Sequence, residues 1–483
     1  MKLSKIISNV TSKQILNYED CEIECITQNS KDVLPNSIFF CLKGNNFNGN
    51  DYALDAVNNG AKVIVAEDFL PVEATIILVK DVRVAMAQMA KNFYDKSDEK
   101  LKKVAVVGTN GKTSTCFIME SILREAGFKV GVIGTNGIYI NGQFLPNNLT
   151  TPDPIELHYI FNQMLMFDVE IVVMEVSAHA IYYNKIYGIK FDLGIFTNIT
   201  NEHLDFFNDM ENYAKVKMSI FNKKYMNECL VNVDDDYGKI IAKNTNIPCV
   251  SYGIYDPANI FAVMMQTQIN GSKFTANVND ELLEVKTNLV GEYNIYNSLA
   301  GIGGAKLLGV ANSKIIYGIK KLKYINGRFM VYSMSLNRKI IVDFAHTPDG
   351  FLKVLGLIKK LRKGKIITIF GCVGYSDKEK RIEMGKIASD YSDEIILTSD
   401  NPGNVDVISI NSDIRLGIDK DKIVTEISDR GKAISFAYNN LKKNDTLVIL
   451  GKGCETKQVV GSKNINYSDV QVVGDLLKEE DFE

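Results

Sequence analysis

The densest group of chemistry-bearing residues is Gly108-Thr109-Asn110-Gly111-Lys112-Thr113. It follows a short apolar run, Val104 to Val107, and opens a helix pattern from Thr113 to Ala126 that stops at Gly127. Glycines in such a turn let backbone N–H groups face phosphate oxygens, and the helix N-terminus adds positive potential. Lys112 adds a point charge, and the Thr113 hydroxyl suits Mg²⁺. The loop departs from the common GxxxxGK(S/T) form, because Val106 stands where the first glycine would be. A glycine turn beside a surface lysine is the bland alternative. The strand–loop–helix context favours a phosphate loop.

Histidine is scarce, with four in the chain. His179 follows Met174-Glu175-Val176-Ser177-Ala178, at the end of an apolar strand pattern. His203 lies in Thr197-Asn198-Ile199-Thr200-Asn201-Glu202-His203-Leu204-Asp205, again just past a strand, and His346 lies in Asp343-Phe344-Ala345-His346-Thr347-Pro348. The C-terminal ends of parallel strands are where open α/β sheets bind ligands. Glu175 and His203 are therefore expected to converge with Thr113 around Mg²⁺. Taken singly, each histidine reads as a packed or capping residue. Lys217, on a helix pattern in Tyr213-Ala214-Lys215-Val216-Lys217, reads by itself as a solvated lysine.

Strands must present these residues. Ser37 to Leu42 and Lys62 to Ala66 read as strands, with a helix from Asn50 to Asn59 between them. The polar run Lys96 to Lys103 reads as a linker. Val104 to Val107, Val130 to Ile133, Ile171 to Val176 and Leu193 to Thr197 form a second set of strands. Lys339 to Phe344, Ile366 to Phe370, Glu394 to Thr398 and Thr446 to Leu450 form a third, with helices between them such as Pro348 to Leu361. The alternation predicts an α/β fold with mainly parallel sheets. Boundaries near residues 100 and 333 give segments 1–100, 101–333 and 334–483.

The bulk numbers agree with a globular protein: 483 residues, 46% hydrophobic and 23% charged. A net charge of -3 gives no footprint for nucleic acid or an anionic membrane. No signal peptide or membrane-spanning run is evident, and the eight cysteines form no CxxC pair. The expectation is a cytoplasmic protein with reduced thiols.

Together these motifs resemble the Mur ligases, most closely the MurE type, over essentially the whole chain. The resemblance rests on GTNGKT, Leu149-Thr150-Thr151-Pro152-Asp153, the EVSAHA run from Glu175, TNITNEHLD, YAKVK ending at Lys217 and GEYNIYNSLA from Gly291. It extends to Gly327-Arg328, Asp343 to Pro348, Asp400-Asn401-Pro402 and Gly451-Lys452-Gly453-Cys454-Glu455. Gln28-Asn29-Ser30-Lys31 and the stretch from Gly44 to Tyr52 resemble the family's uridine-binding segment. That segment also argues against a folylpolyglutamate synthase, and TTPD and EVSAHA favour the MurE type over MurF.

The resemblance implies three domains: a uridine-binding α/β domain, a central phosphate-loop ATPase domain with a parallel sheet, and a Rossmann-like C-terminal domain for the amino acid. It implies ATP binding by Gly108, Thr109, Asn110, Gly111, Lys112, Thr113, Ser114, Asn294, Asn297, Arg328 and Asp343. Ser30, Thr150, Thr151, Ser177 and Lys185 would hold the UDP-linked substrate. Ser376, Asp400, Asn401, Gly403, Gly451 and Glu455 would meet the amino acid. Lys112, Glu175, His203 and Lys217 would be catalytic. The metal ligands would be Thr113, Glu175, His203 and Lys217, the last as a carbamate formed from CO₂. The implied substrates are ATP, UDP-MurNAc-L-Ala-D-Glu and a free amino acid, joined through an acyl-phosphate in a monomeric enzyme.

The departures cluster at the amino-acid end. Lys185 replaces an arginine, which keeps a cation but loses the bidentate fork. Ser376 and Gly403 each stand where the family carries an arginine, and Cys454 replaces a histidine. Gly403 cannot pair with the second carboxylate of diaminopimelate, whereas Asp400 and Glu455 remain. The expectation is L-lysine in preference to meso-diaminopimelate, with Lys378, Lys380 or Arg381 meeting its α-carboxylate. A paralogue that ligates an amino acid to a different carboxylate is the alternative.

Overall fold

The computed structural model describes residues 1–44, 47–202 and 204–482. His203, and Asn45 and Asn46 within the Gly44-to-Tyr52 stretch, lie outside the described residues. The chain divides into two compact units. The first comprises Met1–Gly108, Gly127–Thr197 and Asp205–Ser251. The second comprises Thr109–Ala126, Asn198–Leu204 and Tyr252–Glu483.

The first unit contains a five-stranded sheet in the order Ser12–Leu16, Thr75–Val79, Ala61–Ala66, Ser37–Phe40, Cys25–Thr27. The first pair is antiparallel and the others are parallel. Both faces are covered. Ile38, Phe40, Val63 and Val65 pack into one core with Met86 and Met89, while Phe39, Cys41, Ile64 and Ala66 pack into another with Ala53 and Ala56. A strand buried on both sides carries an unbroken apolar run, which is why these strands are readable from sequence. Between them the expected helix forms as a 3-10 turn, Gly49–Tyr52, followed by the α-helix Ala53–Asn58.

The same unit holds the parallel strands Met226–Asn232, Phe191–Phe196, Lys102–Val107, Ile171–Val176 and Val130–Gly134, in that spatial order. Lys102–Val107, the strand leading into the phosphate loop, is central among them. An antiparallel extension, Gly137–Ile140 and Gln143–Leu145, follows Val130–Gly134.

In the second unit, the helix that begins in the phosphate loop, Lys112–Glu125, packs against Glu292–Leu307 and Asn312–Lys321. Glycine permits the closest approach: a Cβ on Gly318 would lie 2.5 Å from Ile122 Cα. A three-stranded antiparallel ribbon, Ile260–Gln268, Gly271–Val278 and Glu281–Thr287, belongs to this unit. A six-stranded sheet has the order Met330–Ser333, Lys339–Asp343, Thr446–Leu450, Ile366–Phe370, Glu394–Leu397, Ile423–Glu426, with only the first pair antiparallel. Its faces divide as before: Ile341, Val448 and Leu450 enter one core, and Ile340, Leu447 and Ile449 the other. The helix Pro348–Leu361 forms over the residues the sequence predicts, with Pro348 in its first turn and the Thr347 hydroxyl accepting from the Gly350 N–H. No helix among the described residues is long and apolar enough to cross a membrane.

In the polar run Lys96 to Lys103, expected as a linker, Lys96, Glu99, Lys100 and Lys102 are exposed, while Ser97, Asp98, Leu101 and Lys103 are buried in a polar knot. Asp98 is 1% exposed and pairs with Lys91 at 3.1 Å. Lys91 also meets Glu99 at 3.0 Å and donates to the Gly188 carbonyl at 2.8 Å. Lys103 Nζ donates to the carbonyls of Asp98 and Leu101 at 2.5 and 2.7 Å. The two buried charges, Asp98 and Lys103, are therefore met by Lys91 and by backbone carbonyls. His158 lies against this knot, fully buried, its Nδ1 3.8 Å from Asp98 Oδ1 and both ring nitrogens without a hydrogen bond. Burial pushes its pKa down to about 3, assisted by the ammonium groups of Lys91 and Lys103.

A pH test follows. In the folded chain His158 stays neutral until about pH 3, whereas the unfolded chain protonates it near its ordinary 6.5. The unfolded state therefore binds more protons between those values, and stability falls as pH drops below 6.5. His158 alone should cost ~2 kcal/mol between pH 6.5 and 5. Denaturant unfolding of the wild type and His158→Leu at both pH values should show the smaller acid loss in the variant. Equal losses would remove His158 from the acid response.

Candidate functional site

The strand Lys102–Val107 runs into Gly108, and the helix Lys112–Glu125 begins four residues later. Gly111 sits at φ +86°, where glycine alone is unstrained. A Cβ there would also lie 2.3 Å from Asn297 Oδ1, so backbone and side chain fit only because position 111 has no side chain.

Hydrogen bonds from two other segments fix the loop. The Thr109 N–H donates to the Asn198 carbonyl at 2.7 Å. The Asn110 N–H donates to Asn198 Oδ1 at 2.9 Å, and Asn198 Nδ2 returns a bond to the Asn110 carbonyl at 3.0 Å. The Thr200 N–H donates to Thr109 Oγ1 at 3.1 Å. Lys112 Nζ folds back onto the Thr109 carbonyl at 2.8 Å. Thr109, Thr113 and Ser114 are buried.

Arg328 and Asp343 lie at the same place. Arg328 Nη2 donates to Thr113 Oγ1 at 3.0 Å, its guanidinium stacks 4.3 Å from the Phe344 ring centre, and its buried Nε has no partner. Asp343 accepts from the Phe329 N–H at 2.6 Å and the Ala345 N–H at 2.7 Å. Burial pushes its carboxyl pKa up against the pull of Arg328. Asn294 and Asn297 share a face of the helix Glu292–Leu307, with Asn297 Nδ2 donating to Asn294 Oδ1 at 3.0 Å. A glycine turn at a helix start with Lys112 and Arg328 beside it suits polyphosphate.

In the first unit, Glu175 is the penultimate residue of the strand Ile171–Val176 and is 1% exposed. The Thr135 N–H donates to its Oε1 at 2.9 Å and the Thr135 hydroxyl to its Oε2 at 3.2 Å. Thr150 meets Thr135 at 3.0 Å, and Thr151 Oγ1 donates to the Glu175 carbonyl at 2.9 Å while accepting from the Ser177 N–H at 3.1 Å. Thr150, Thr151 and Ser177 are thus gathered around Glu175. Lys185 pairs with Asp153 at 2.9 Å, and Gln28 Nε2 reaches the same carboxylate at 3.2 Å. Ser30 lies apart from that network on the 3-10 turn Ser30–Asp32, where its carbonyl accepts from Asn59.

Lys217 is 2% exposed, with Nζ 4.3 Å from the Tyr213 ring centre. It is therefore no solvated helix lysine. His179 packs on Phe206 and Phe207, in keeping with a packing role. His346 Nδ1 lies 2.8 Å from the Phe344 carbonyl and Nε2 3.5 Å from Glu202.

The residues expected at the amino-acid end form a buried charge cluster. Lys452, fully buried, donates to Glu455 at 2.7 Å and Asn401 Oδ1 at 3.0 Å, and lies 3.9 Å from Asp400. Asn401 Nδ2 also donates to Glu455, at 3.0 Å. Arg430, fully buried, makes two 2.8 Å bonds to Asp469. Asp400 interacts with all four charged neighbours, so the cluster holds three carboxylates against two cations. Burial raises the Asp400 pKa, with Arg430 and Lys452 opposing. Gly451 lies against Asp400, and Gly403 sits at φ +57° with open space where a Cβ would be. The Ser376 N–H closes a turn onto the Val373 carbonyl at 3.1 Å.

Two of the three cations expected to meet the α-carboxylate are engaged elsewhere. Arg381 bonds Asp413 at 3.0 Å and the Gly374 carbonyl at 2.8 Å, and Lys378 lies 3.4 Å from Asp413. The bracing residues Thr135, Asn198, Thr200, Arg430 and Lys452 escape the sequence reading. Asn198, Thr200 and Lys452 lie inside quoted motifs, but only distances reveal their task.

Comparison with known proteins gives matches along most of the chain. The Mur ligase family catalytic domain matches residues 22–94, the Mur ligase middle domain 106–305, and the Mur ligase glutamate ligase domain 327–453. A Clostridium acetobutylicum protein named UDP-N-acetylmuramoyl-L-alanyl-D-glutamate–2,6-diaminopimelate ligase 1 is 38% identical over 484 residues, covering 99% of this chain and 100% of that one. A Clostridium tetani protein with the same name, lacking the number, is 36% identical over 486 residues, with coverage of 99% and 100%. A solved structure of a UDP-N-acetylmuramoyl-L-alanyl-D-glutamate–2,6-diaminopimelate ligase superposes with a TM-score of 0.70 at 26% identity, covering 99% of both chains.

Gly111→Ala tests the loop. The added methyl group meets Asn297 and a strained backbone, so the loop must move. Affinity for Mg-ATP by titration calorimetry should fall at least ~30-fold while the fold survives by circular dichroism. Unchanged affinity in a folded variant would mean that the loop shape is not what receives phosphate.

Proposed function

The chain belongs to the Mur ligase family, and from that premise we propose how its residues divide the work of an ATP-dependent, ADP-forming ligase of the MurE type. The acceptor is the D-glutamyl carboxylate of UDP-MurNAc-L-Ala-D-Glu. A carboxylate oxygen attacks the γ-phosphorus of ATP as the bond to ADP breaks, giving an acyl-phosphate. The amine of the free amino acid then attacks the acyl carbon. Phosphate leaves with the former carboxylate oxygen, and the nitrogen gives up a proton. The observation that carries this reading is the braced glycine loop with Lys112 and Arg328 beside it. Two anions must meet there, and these cations lower the repulsion between them.

Thr113 would hold one Mg²⁺ with the nucleotide. Glu175, His203 and a carbamate on Lys217 would hold a second. When bound, the ions neutralise phosphate charge. The oxygen donors suit a hard cation, and Thr135 already orients both oxygens of Glu175. Thr150, Thr151, Ser177, Lys185 and Ser30 take the UDP-linked substrate in this reading. Asp400, Asn401, Gly451 and Glu455 take the amino acid, whose amine would meet the carboxylates of Asp400 and Glu455. The division at about residues 100 and 333 belongs to the same reading, supported by the three family segments.

The names of the relatives support 2,6-diaminopimelate as the amino acid. A second reading, L-lysine, is favoured by Gly403, which offers no guanidinium to a second carboxylate. Lys380 is the candidate for the α-carboxylate. Steady-state kinetics with ATP, UDP-MurNAc-dipeptide and either lysine, ornithine, alanine, serine or meso-diaminopimelate decides between them. ADP release should require both co-substrates, and kcat/KM should favour diaminopimelate by about tenfold or more. A preference for lysine would establish the second reading. ADP release that ignores the dipeptide would point to a paralogue with another acceptor.

Lys217→Ala should lose nearly all turnover, with partial rescue by acetate or another small acid. The unmodified enzyme equilibrated with ¹³C-bicarbonate should give a carbamate carbon signal that the variant lacks. Normal turnover in Lys217→Ala, or no such signal in active enzyme, would sink the carbamate assignment.

A further inference from the structure

The phosphate loop is also held by a residue the reaction itself does not use. The Asn110 side-chain amide has two N–H donors. Asn110 Nδ2 donates to Thr200 Oγ1 at 3.2 Å and to Asp349 Oδ2 at 2.8 Å. Asp349 is 239 residues further along the chain, in the first turn of the helix Pro348–Leu361. One turn on, Lys353 Nζ donates to the same oxygen at 2.8 Å. The Asn110 main chain is fixed on both sides by Asn198. Together these bonds tie down the side chain and backbone of one loop residue.

We propose that Asp349 is a positioning residue for the nucleotide: through Asn110 it holds the phosphate loop in the shape that receives ATP, while Lys353 cancels its charge. The inference rests on the reading of residues 108–113 as the ATP site. A loop ordered before the ligand arrives loses less entropy on binding. The bond to a carboxylate is charge-assisted, stronger than an amide–amide bond. A bare carboxylate near the triphosphate would oppose binding, and Lys353 answers that repulsion. The competing account is an acidic residue favouring its own helix N-terminus. That account predicts lower stability with no change in nucleotide affinity.

The test measures Mg-ATP binding to the full chain by titration calorimetry without other substrates, followed by steady-state kinetics. Asp349→Ala should weaken Mg-ATP binding and raise KM for ATP about tenfold. Its kcat should stay within about threefold and its KM for the amino acid should not change. Asp349→Asn keeps an acceptor and should return affinity to within about threefold of the wild type. Asn110→Ala should weaken binding at least as much as Asp349→Ala, and the double variant should be no weaker than Asn110→Ala alone. Lys353→Met should weaken binding too, and Asp349→Asn should relieve that loss. Wild-type affinity in Asp349→Ala, or independent multiplication of the two losses, would overturn the proposal while leaving the ATP site standing. If the wild type binds no Mg-ATP, the site assignment fails and this inference with it.

Discussion

Two anions cannot be brought together by a surface that rearranges as they arrive. The glycine loop at residues 108–113 keeps an unfavourable backbone shape, and the residues around it hold that shape. Gly111 accepts the positive φ, and Asn297 fills the space that a side chain at 111 would take. Asn198 and Thr200 then bond two successive loop residues. The helix start is held by burial of Lys112–Glu125 against two helices, one so close that position 318 must be glycine. Burial supplies the rigidity, and the hydrogen bonds select the shape.

The same economy of fixed dipoles and matched charges recurs wherever a charged group is buried. Glu175 is oriented by a backbone N–H and a hydroxyl from one residue, Thr135. Asp343 is held by two backbone N–H groups. Lys452 and Arg430, both fully buried, each meet a carboxylate. An unpaired charge at such depth would be costly, so each is a constraint on its neighbours as much as a functional group. His158 shows the opposite solution, held neutral by burial, with neither ring nitrogen hydrogen-bonded.

Much of the fold is legible in the sequence because its sheets are buried on both faces. Runs such as Ile366 to Phe370 and Thr446 to Leu450 are continuously apolar, and the structure forms strands over those residues. The antiparallel ribbon over residues 260–287 escapes, although its burial alternates as a half-buried strand's does. In Glu281–Thr287, Leu283, Val285 and Thr287 are buried while the residues between them are exposed. The knot around Asp98 escapes too. Its composition is that of a solvated linker, and only spatial pairing shows that Asp98 and Lys103 are internal. Among site residues, the phosphate loop is legible because backbone geometry restricts its residue types. Its braces are not, since any of several polar residues could donate the same bonds.

That contrast also explains where the chain departs from its family's pattern. A residue that shapes the backbone is fixed by geometry: Gly111 sits at φ +86°, which strains any residue with a Cβ, and a Cβ there would also displace the Asn297 side chain. A residue that reads a substrate through its side chain can change without disturbing the fold. Gly403 has open space around it, so an arginine or a glycine would meet no steric obstacle there beyond its positive φ. Position 376 lies on a turn whose closure uses only the main chain. The buried part of the amino-acid end is different. Asp400, Asn401, Lys452 and Glu455 depend on one another for hydrogen bonds and charge balance, and losing one strands the rest. The core of this segment is therefore constrained residue by residue, whereas positions 376 and 403 are free to vary without disturbing it.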